Sequence, residues 1–234
     1  MSDLLPISIG LLLFPNLTQL DLTGPFEVFA RTPGAQVHLI WKTLAPVTSD
    51  RGLTMLPTAT FADCPPLDII CVPGGPGQIA LMDDRQTLDF LSQVAERAQL
   101  ITSVCTGSLL LGAAGLLQGY QATSHWSSLD QLALLGAQPV QQRVVRDRNR
   151  ITGAGVTSGI DFALTVVADL YGAVVAQQIQ LQMEYDPEPP FTSGSPRSAS
   201  AQLLQQARSS SASFIAARRE ATLRAAAHLA QPAP

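Results

Sequence analysis

The sequence is poor in the residues that build most ligand sites. Among its 234 residues are only three histidines and three cysteines. His38, His125 and His228 stand far apart, and no spacing among them and the cysteines forms a zinc-binding pattern. Charge is sparse too: Asp, Glu, Lys and Arg make up 14% of the chain, with a formal net charge of -4. That balance leaves no basic footprint for nucleic acid. A small, odd number of cysteines argues against a disulfide framework and for free thiols in a reducing, cytoplasmic setting. Long apolar runs are also missing. Ile7–Phe14 is too short to cross a bilayer and ends at Pro15, and Met1-Ser2-Asp3 before it lacks the basic start of a secretory leader. Neither a membrane nor a nucleic-acid partner is expected.

What is present is apolar and periodic. Hydrophobic residues supply 46% of the chain, ample for a buried core. Ile7–Phe14, Val37–Trp41, Leu67–Val72 and Leu100–Val104 are near-continuous apolar segments, the pattern of strands covered on both faces of a parallel sheet. Leu53–Phe61 reads as extended around Pro57. Helices are expected from about Leu20 to Ala30, from Arg85 to Ala98 with an apolar face at Leu88, Leu91, Val94 and Ala95, and from Thr106 to Gly115. Ala122–Trp126 leads into another through Leu135. Arg143–Asp147 and Arg150–Thr152 alternate like a hairpin turning at Arg148-Asn149, and a last core helix follows Gly159. Alternation of strands and helices from residue 7 to about 184 predicts an α/β fold, a parallel-rich sheet between helical layers. Asp186–Pro196 reads as a rigid connector, and Ser198–Ala230 as one or two helices. One α/β domain over 1–197 is expected, with a helical extension over 198–234 packed on it. Arg218, Arg219 and Arg224 in that extension read as a solvated helix face, since the tail is too short for a helix-turn-helix domain.

The chemistry concentrates where the strand Leu100–Val104 stops at Cys105 and a helix of small residues begins at once. A residue on such a sharp strand-to-helix turn stands exposed above the helix N-terminus, whose N–H groups and dipole favour thiolate over thiol. The alternative for Cys105 is a buried cysteine closing a core strand. Asp21 falls at a helix entrance after the first strand, either as a cap or as a functional carboxyl at the carboxyl edge of the sheet. Pro73-Gly74-Gly75-Pro76-Gly77 follows a core strand and offers backbone N–H groups as an anion cradle, or makes a tight turn, or does both. It has neither the Lys-Ser/Thr of a phosphate-binding loop nor the spacing of a dinucleotide fingerprint. His125 reads either as a helper of the thiol or as a capping and packing residue. His38 and Cys71, inside strands, read as core.

Three separated motifs together resemble a known family: Leu13-Phe14-Pro15 with Leu20-Asp21-Leu22-Thr23-Gly24-Pro25, Val72-Pro73-Gly74-Gly75, and Ser103-Val104-Cys105-Thr106-Gly107. They look like the ThiJ/PfpI branch of the class I glutamine amidotransferase-like superfamily. Ala122-Thr123-Ser124-His125-Trp126, Thr152–Asp161 and the proline-rich stretch to Pro196 extend the likeness over nearly the whole chain. Within the branch the sequence is most similar to the isocyanide (isonitrile) hydratase group. The resemblance implies a flavodoxin-like fold, a homodimer, Cys105 as nucleophile, Asp21 as its acid-base partner, and Gly75 and Thr106 as backbone donors beside the reacting centre. It also implies a small uncharged isocyanide as substrate, hydrated to the N-substituted formamide with no metal or organic cofactor. Thr106 stands where peptidase-like relatives have a histidine, and Asp21 where many relatives have a glutamate. Alternatives within the same superfamily are a ligand or redox sensor and a glyoxalase- or deglycase-type enzyme.

Overall fold

The computed structural model describes residues 6–231, so the reading of Met1-Ser2-Asp3 lies outside the described residues. The strands are β1 (Ile7–Leu12), β2 (Ala35–Trp41), β3 (Val47–Thr48), β4 (Thr54–Met55), β5 (Ala59–Thr60), β6 (Ile69–Val72), β7 (Leu100–Val104), β8 (Gln121–Ala122), β9 (Gln138–Pro139), β10 (Val144–Asp147) and β11 (Arg150–Gly153). The helices are α1 (Gln19–Ala30), α2 (Gln78–Leu81), α3 (Arg85–Ala95), α4 (Gly107–Ala113), α5 (Ser158–Tyr171), α6 (Ala173–Gln182) and α7 (Ala201–Leu229), with a 3-10 helix over Trp126–Leu135. Seven strands form one sheet in the order β10-β11-β7-β6-β1-β2-β5. Every neighbouring pair is parallel except β10–β11, whose hairpin turns at Arg148 in a left-handed conformation.

The apolar strands are the middle of this sheet. Ile9, Leu11, Leu12, Ile69, Ile70, Cys71 and all of β7 are buried, because helices cover both faces of a parallel sheet and water reaches neither. One helical group joins α1, α5 and α6; the other joins α2, α3 and α4. The chain runs from β1 outward through β2, then returns to the other side of β1 for β6 and β7. That reversal opens a crevice beyond the carboxyl ends of β1, β6 and β7, where open α/β sheets hold their ligands.

Two expectations change. The segment through Leu135 is a 3-10 helix, with His125 Nδ1 accepting from the Ser127 N–H at its head and Gly136, left-handed, closing it. The C-terminal segment is one 29-residue helix, and Arg218 in it is not solvated. Arg218 is buried where α7 packs across the 3-10 helix, with Ala221, Thr222 and Ala225 on the same face. Arg219 and Arg224 do stay exposed, pairing with Asp130 at 3.0 Å and Asp83 at 2.7 Å. Among the described residues no helix is long and apolar enough to cross a membrane.

Candidate active site

Three adjacent strands deliver three loops to one place. The loop after β1 leads into α1, whose first turn carries Asp21, the loop after β6 carries Gly74 and Gly75, and β7 ends at Cys105. Cys105 has φ +57°, a left-handed conformation that a residue with a side chain adopts only when its surroundings impose it. Here they do. Its N–H donates to the carbonyls of Gly153 at 3.0 Å and Ala154 at 2.7 Å, and its own carbonyl accepts from Ser108 and Ser124 hydroxyls, both at 3.1 Å. The strand-to-helix elbow is therefore fastened from both sides, and the thiol points from it into the crevice with only 6% exposure.

Asp21 is not the helix cap. Thr18 occupies that position, while the Asp21 carboxylate crosses to the neighbouring loop and Oδ2 accepts the Gly74 N–H at 2.9 Å. The carboxyl is fully buried, and Oδ1 has no partner within ordinary hydrogen-bonding range. Burial raises its pKa to about 7, against the Gly74 N–H and the Cys105 thiol, which favour the charged form; nearby Asp50 adds to the rise. The Cys105 thiol in turn is pushed up by burial and by the Asp21 carboxyl, and drawn down by the Thr106 N–H and by Arg218. Thiol and carboxyl titrate as one unit.

The two expected backbone donors have distinct places. The Thr106 N–H faces the Cys105 sulfur. The Gly75 N–H donates to Thr106 Oγ1 at 3.1 Å, so it is engaged with the threonine hydroxyl. Gly75, at φ +129°, takes a backbone shape closed to other residues, and a Cβ there would lie 2.3 Å from Thr18 N. Gly74 is wedged between the two functional groups: a Cβ on it would lie 2.5 Å from Thr106 N and 2.9 Å from Asp21 Oδ2. Gly74→Ala is accordingly expected to cost about 1–3 kcal/mol of stability by urea unfolding. It should also lower turnover by roughly 100-fold, because the carboxyl is displaced from the thiol.

His125 caps the 3-10 helix, its Nδ1 also lying 2.8 Å from Ser127 Oγ. Burial lowers its pKa to about 4, with Arg218 acting in the same direction, so the ring is neutral at physiological pH. It lines the cavity as a packing and capping residue. Cys71, buried in β6, is pushed up to about 12 by burial and is inert.

Above Cys105 opens a cavity of about 420 Å³. Its floor is Gly75, Cys105 and Thr106, and its far wall is α7, through Phe214, Ile215 and Arg218. Sequence reasoning missed these wall residues. The signal was the spacing of Phe214, Arg218 and Thr222 at four-residue steps along one helical face. Among the described residues no group of three or more His, Cys, Asp or Glu side chains could hold a metal ion.

A doubly wound sheet whose crevice holds a carboxyl-paired cysteine on a strained elbow defines an α/β protein of flavodoxin-like architecture with an elbow cysteine. The profile of the DJ-1/PfpI family matches residues 7–169, and the chain belongs to that family. An isonitrile hydratase of Pseudomonas putida is 58% identical over 223 residues, covering 95% of this chain and 98% of that protein. The crystal structure of a ThiJ/PfpI family protein from Pseudomonas syringae superposes with a TM-score of 0.91 at 48% identity, covering 93% of this chain and 90% of that one. The transcriptional regulator GbdR of Pseudomonas aeruginosa is 32% identical over 77% of this chain, which spans 51% of the regulator.

Proposed function

We propose that the protein hydrates organic isocyanides, R–N≡C, to N-substituted formamides, with Cys105 as nucleophile and Asp21 as the proton carrier. The observation that carries the substrate class is the 58% identity, over almost the full length of both chains, to a protein named isonitrile hydratase. The chemistry of the site fits it. The terminal carbon of an isocyanide is a soft electrophile, and a thiolate is a soft nucleophile. Sγ bonds to that carbon as the Asp21 carboxyl delivers its proton to the same carbon, giving the thioimidate R–N=CH–S–Cys. Water then adds to the thioimidate carbon, Asp21 taking its proton and passing it to nitrogen. Collapse of the resulting R–NH–CH(OH)–S–Cys forms the formamide carbonyl, breaks the C–S bond, and returns the hydroxyl proton to Asp21. One group serves as acid, then base, because its pKa of about 7 lets it hold or release a proton with little bias.

Phe214 and Ile215 offer an apolar wall to an uncharged R group. Phe214→Ala is expected to raise KM roughly tenfold with kcat nearly unchanged, as for any contact made equally in ground and transition states. Steady-state kinetics with cyclohexyl isocyanide measures it. The activity itself is tested by infrared spectroscopy: the isocyanide stretch should disappear on adding the protein, with formamide appearing in equal amount. Persistence of the stretch, with binding but no conversion, would instead favour the ligand-sensing reading that the likeness to GbdR suggests.

The working unit is proposed to be a homodimer in the cytoplasm. Exposed Leu170, Val174, Leu181 and Phe191, on α5, α6 and the connector after it, supply apolar surface for association. Three free cysteines suit a reducing compartment.

A further inference from the structure

One buried charge has no part in the scheme above. Arg218 is 4% exposed, more enclosed than the cysteine it faces. One terminal nitrogen donates to Ser128 Oγ at 3.0 Å, and the guanidinium lies over the Phe214 ring, 4.5 Å from its centroid. Its Nε is buried without a hydrogen-bond partner, and no ion pair among the described residues includes it. An enclosed cation without an anion is among the costlier features a fold can carry, and it persists where something nearby compensates it.

The charged and titratable groups facing that cavity are few. Asp50 and Arg51 come from the loop between β3 and β4, His125 from the head of the 3-10 helix, Cys105 from the elbow and Arg218 from α7; Asp21, on α1, is fully buried beside Cys105. Asp50 and Arg51 pair with each other at 3.7 Å, with Arg51 89% exposed. His125 is neutral. Arg218 is thus the one enclosed cation at the cavity, and it shares that cavity with the Cys105–Asp21 pair and with the Asp50 carboxylate, whose Oδ1 is buried without a partner.

We propose that Arg218 is the counter-ion of the Cys105–Asp21 pair, compensating the one negative charge the pair carries and raising the share of it that resides on sulfur. The role rests on Cys105 being the reacting sulfur. Arg218 acts through that sulfur, so it is a positioning residue. The influence is mutual, since the arginine favours the thiolate and the thiolate favours the charged guanidinium. It also gives α7 a chemical purpose. The family profile ends at residue 169, and the cation comes from the helix beyond it.

The test follows alkylation of Cys105 by iodoacetamide from pH 5 to 9, quantified on the Cys105 peptide by mass spectrometry, in the full-length protein. In Arg218→Met and Arg218→Gln the rate at pH 7 should fall roughly tenfold or more, with the profile displaced to higher pH, one unit of displacement being a tenfold loss of thiolate. Arg218→Lys, which keeps the charge, should retain most of the rate. Arg219→Met, which removes an exposed charge one residue away, should leave it unchanged. Turnover of cyclohexyl isocyanide should fall in the same ratio as alkylation. A wild-type alkylation profile in both the Met and Gln variants overturns the proposal. So does an equal loss in the Gln and Lys variants, which would mark a packing role. Normal handling of iodoacetamide and cyclohexyl isocyanide with loss confined to a carboxylate-bearing isocyanide overturns it as well, and makes Arg218 a substrate-anion contact. Should Arg218→Met fail to fold, the Gln variant, with a donor for Ser128, and the Lys variant decide the matter. Alkylation needs no isocyanide, so this readout stands or falls separately from the proposed hydration.

Discussion

Cys105→Ala is expected to lose isocyanide turnover by a factor on the order of 10⁴ or more, leaving the isocyanide stretch intact after hours with the variant. Without sulfur there is no thioimidate, and direct addition of water to an isocyanide has no covalent step to divide its barrier. The fold should survive the change. The elbow at φ +57° is held by backbone bonds to Gly153 and Ala154 and by the Ser108 and Ser124 hydroxyls, none of which uses the thiol. Alanine keeps every one, so unfolding by urea should shift by about 1 kcal/mol or less, the scale of deleting one small buried group. A variant within tenfold of wild-type turnover would remove Cys105 from the mechanism.

Asp21→Asn is expected to separate activity from stability. Activity should fall by about 10²–10⁴-fold, the usual contribution of a positioned proton carrier. Stability should move the other way at alkaline pH. The Asp21 pKa rises from 3.8 to about 7 on folding, so the native protein binds more protons than the unfolded chain between those values. Stability from this group is therefore present at acid pH and is lost as pH climbs through the window, about 4 kcal/mol in total at 1.4 kcal/mol per unit. Asparagine keeps an oxygen for the Gly74 N–H and has no charge to bury. The variant should match wild type in urea near pH 3 and exceed it by a few kcal/mol at pH 8. A variant less stable than wild type at pH 8 would show that the carboxylate is not strained by its burial.

Much of the fold was legible because buried parallel strands advertise themselves. Runs such as Ile69–Val72 and Leu100–Val104 have no polar face to confuse the pattern, and the elbow at Cys105 follows from where one such run stops. The 3-10 character of Trp126–Leu135 was not legible, since an i→i+3 ladder and an i→i+4 ladder draw on the same residues; the His125 and Ser127 contacts that shape its start are tertiary detail. Whether Asp21 caps α1 or turns toward the elbow was open from sequence, because a carboxylate at a helix entrance suits both; its bond to the Gly74 N–H, 53 residues on, shows that it does not cap. Arg218 was misread for a different reason. Arginine in an Ala-rich helix usually meets water, and its burial depends on a partner surface, the 3-10 helix, distant in sequence.

The long helix at the end of the chain has a further consequence, because burial deepens along it. Phe214 is 38% exposed, Arg218 is 4% exposed and Thr222 is fully enclosed. Laid across the crevice in this way, α7 works as a graduated ruler. Ala207, Ser210 and Ser211 line the cavity one to two turns before Phe214, Ile215 and Arg218 do. Each residue added or removed between Phe214 and Arg218 would turn Arg218 by about 100° relative to Phe214 and carry it out of the cavity. Residues 186–200, before the helix, can change length without that effect. Divergence in chain length is thus tolerated on one side of Ser200 and not on the other, and divergence in substrate size can be written into single positions of one helix while the sheet stays as it is.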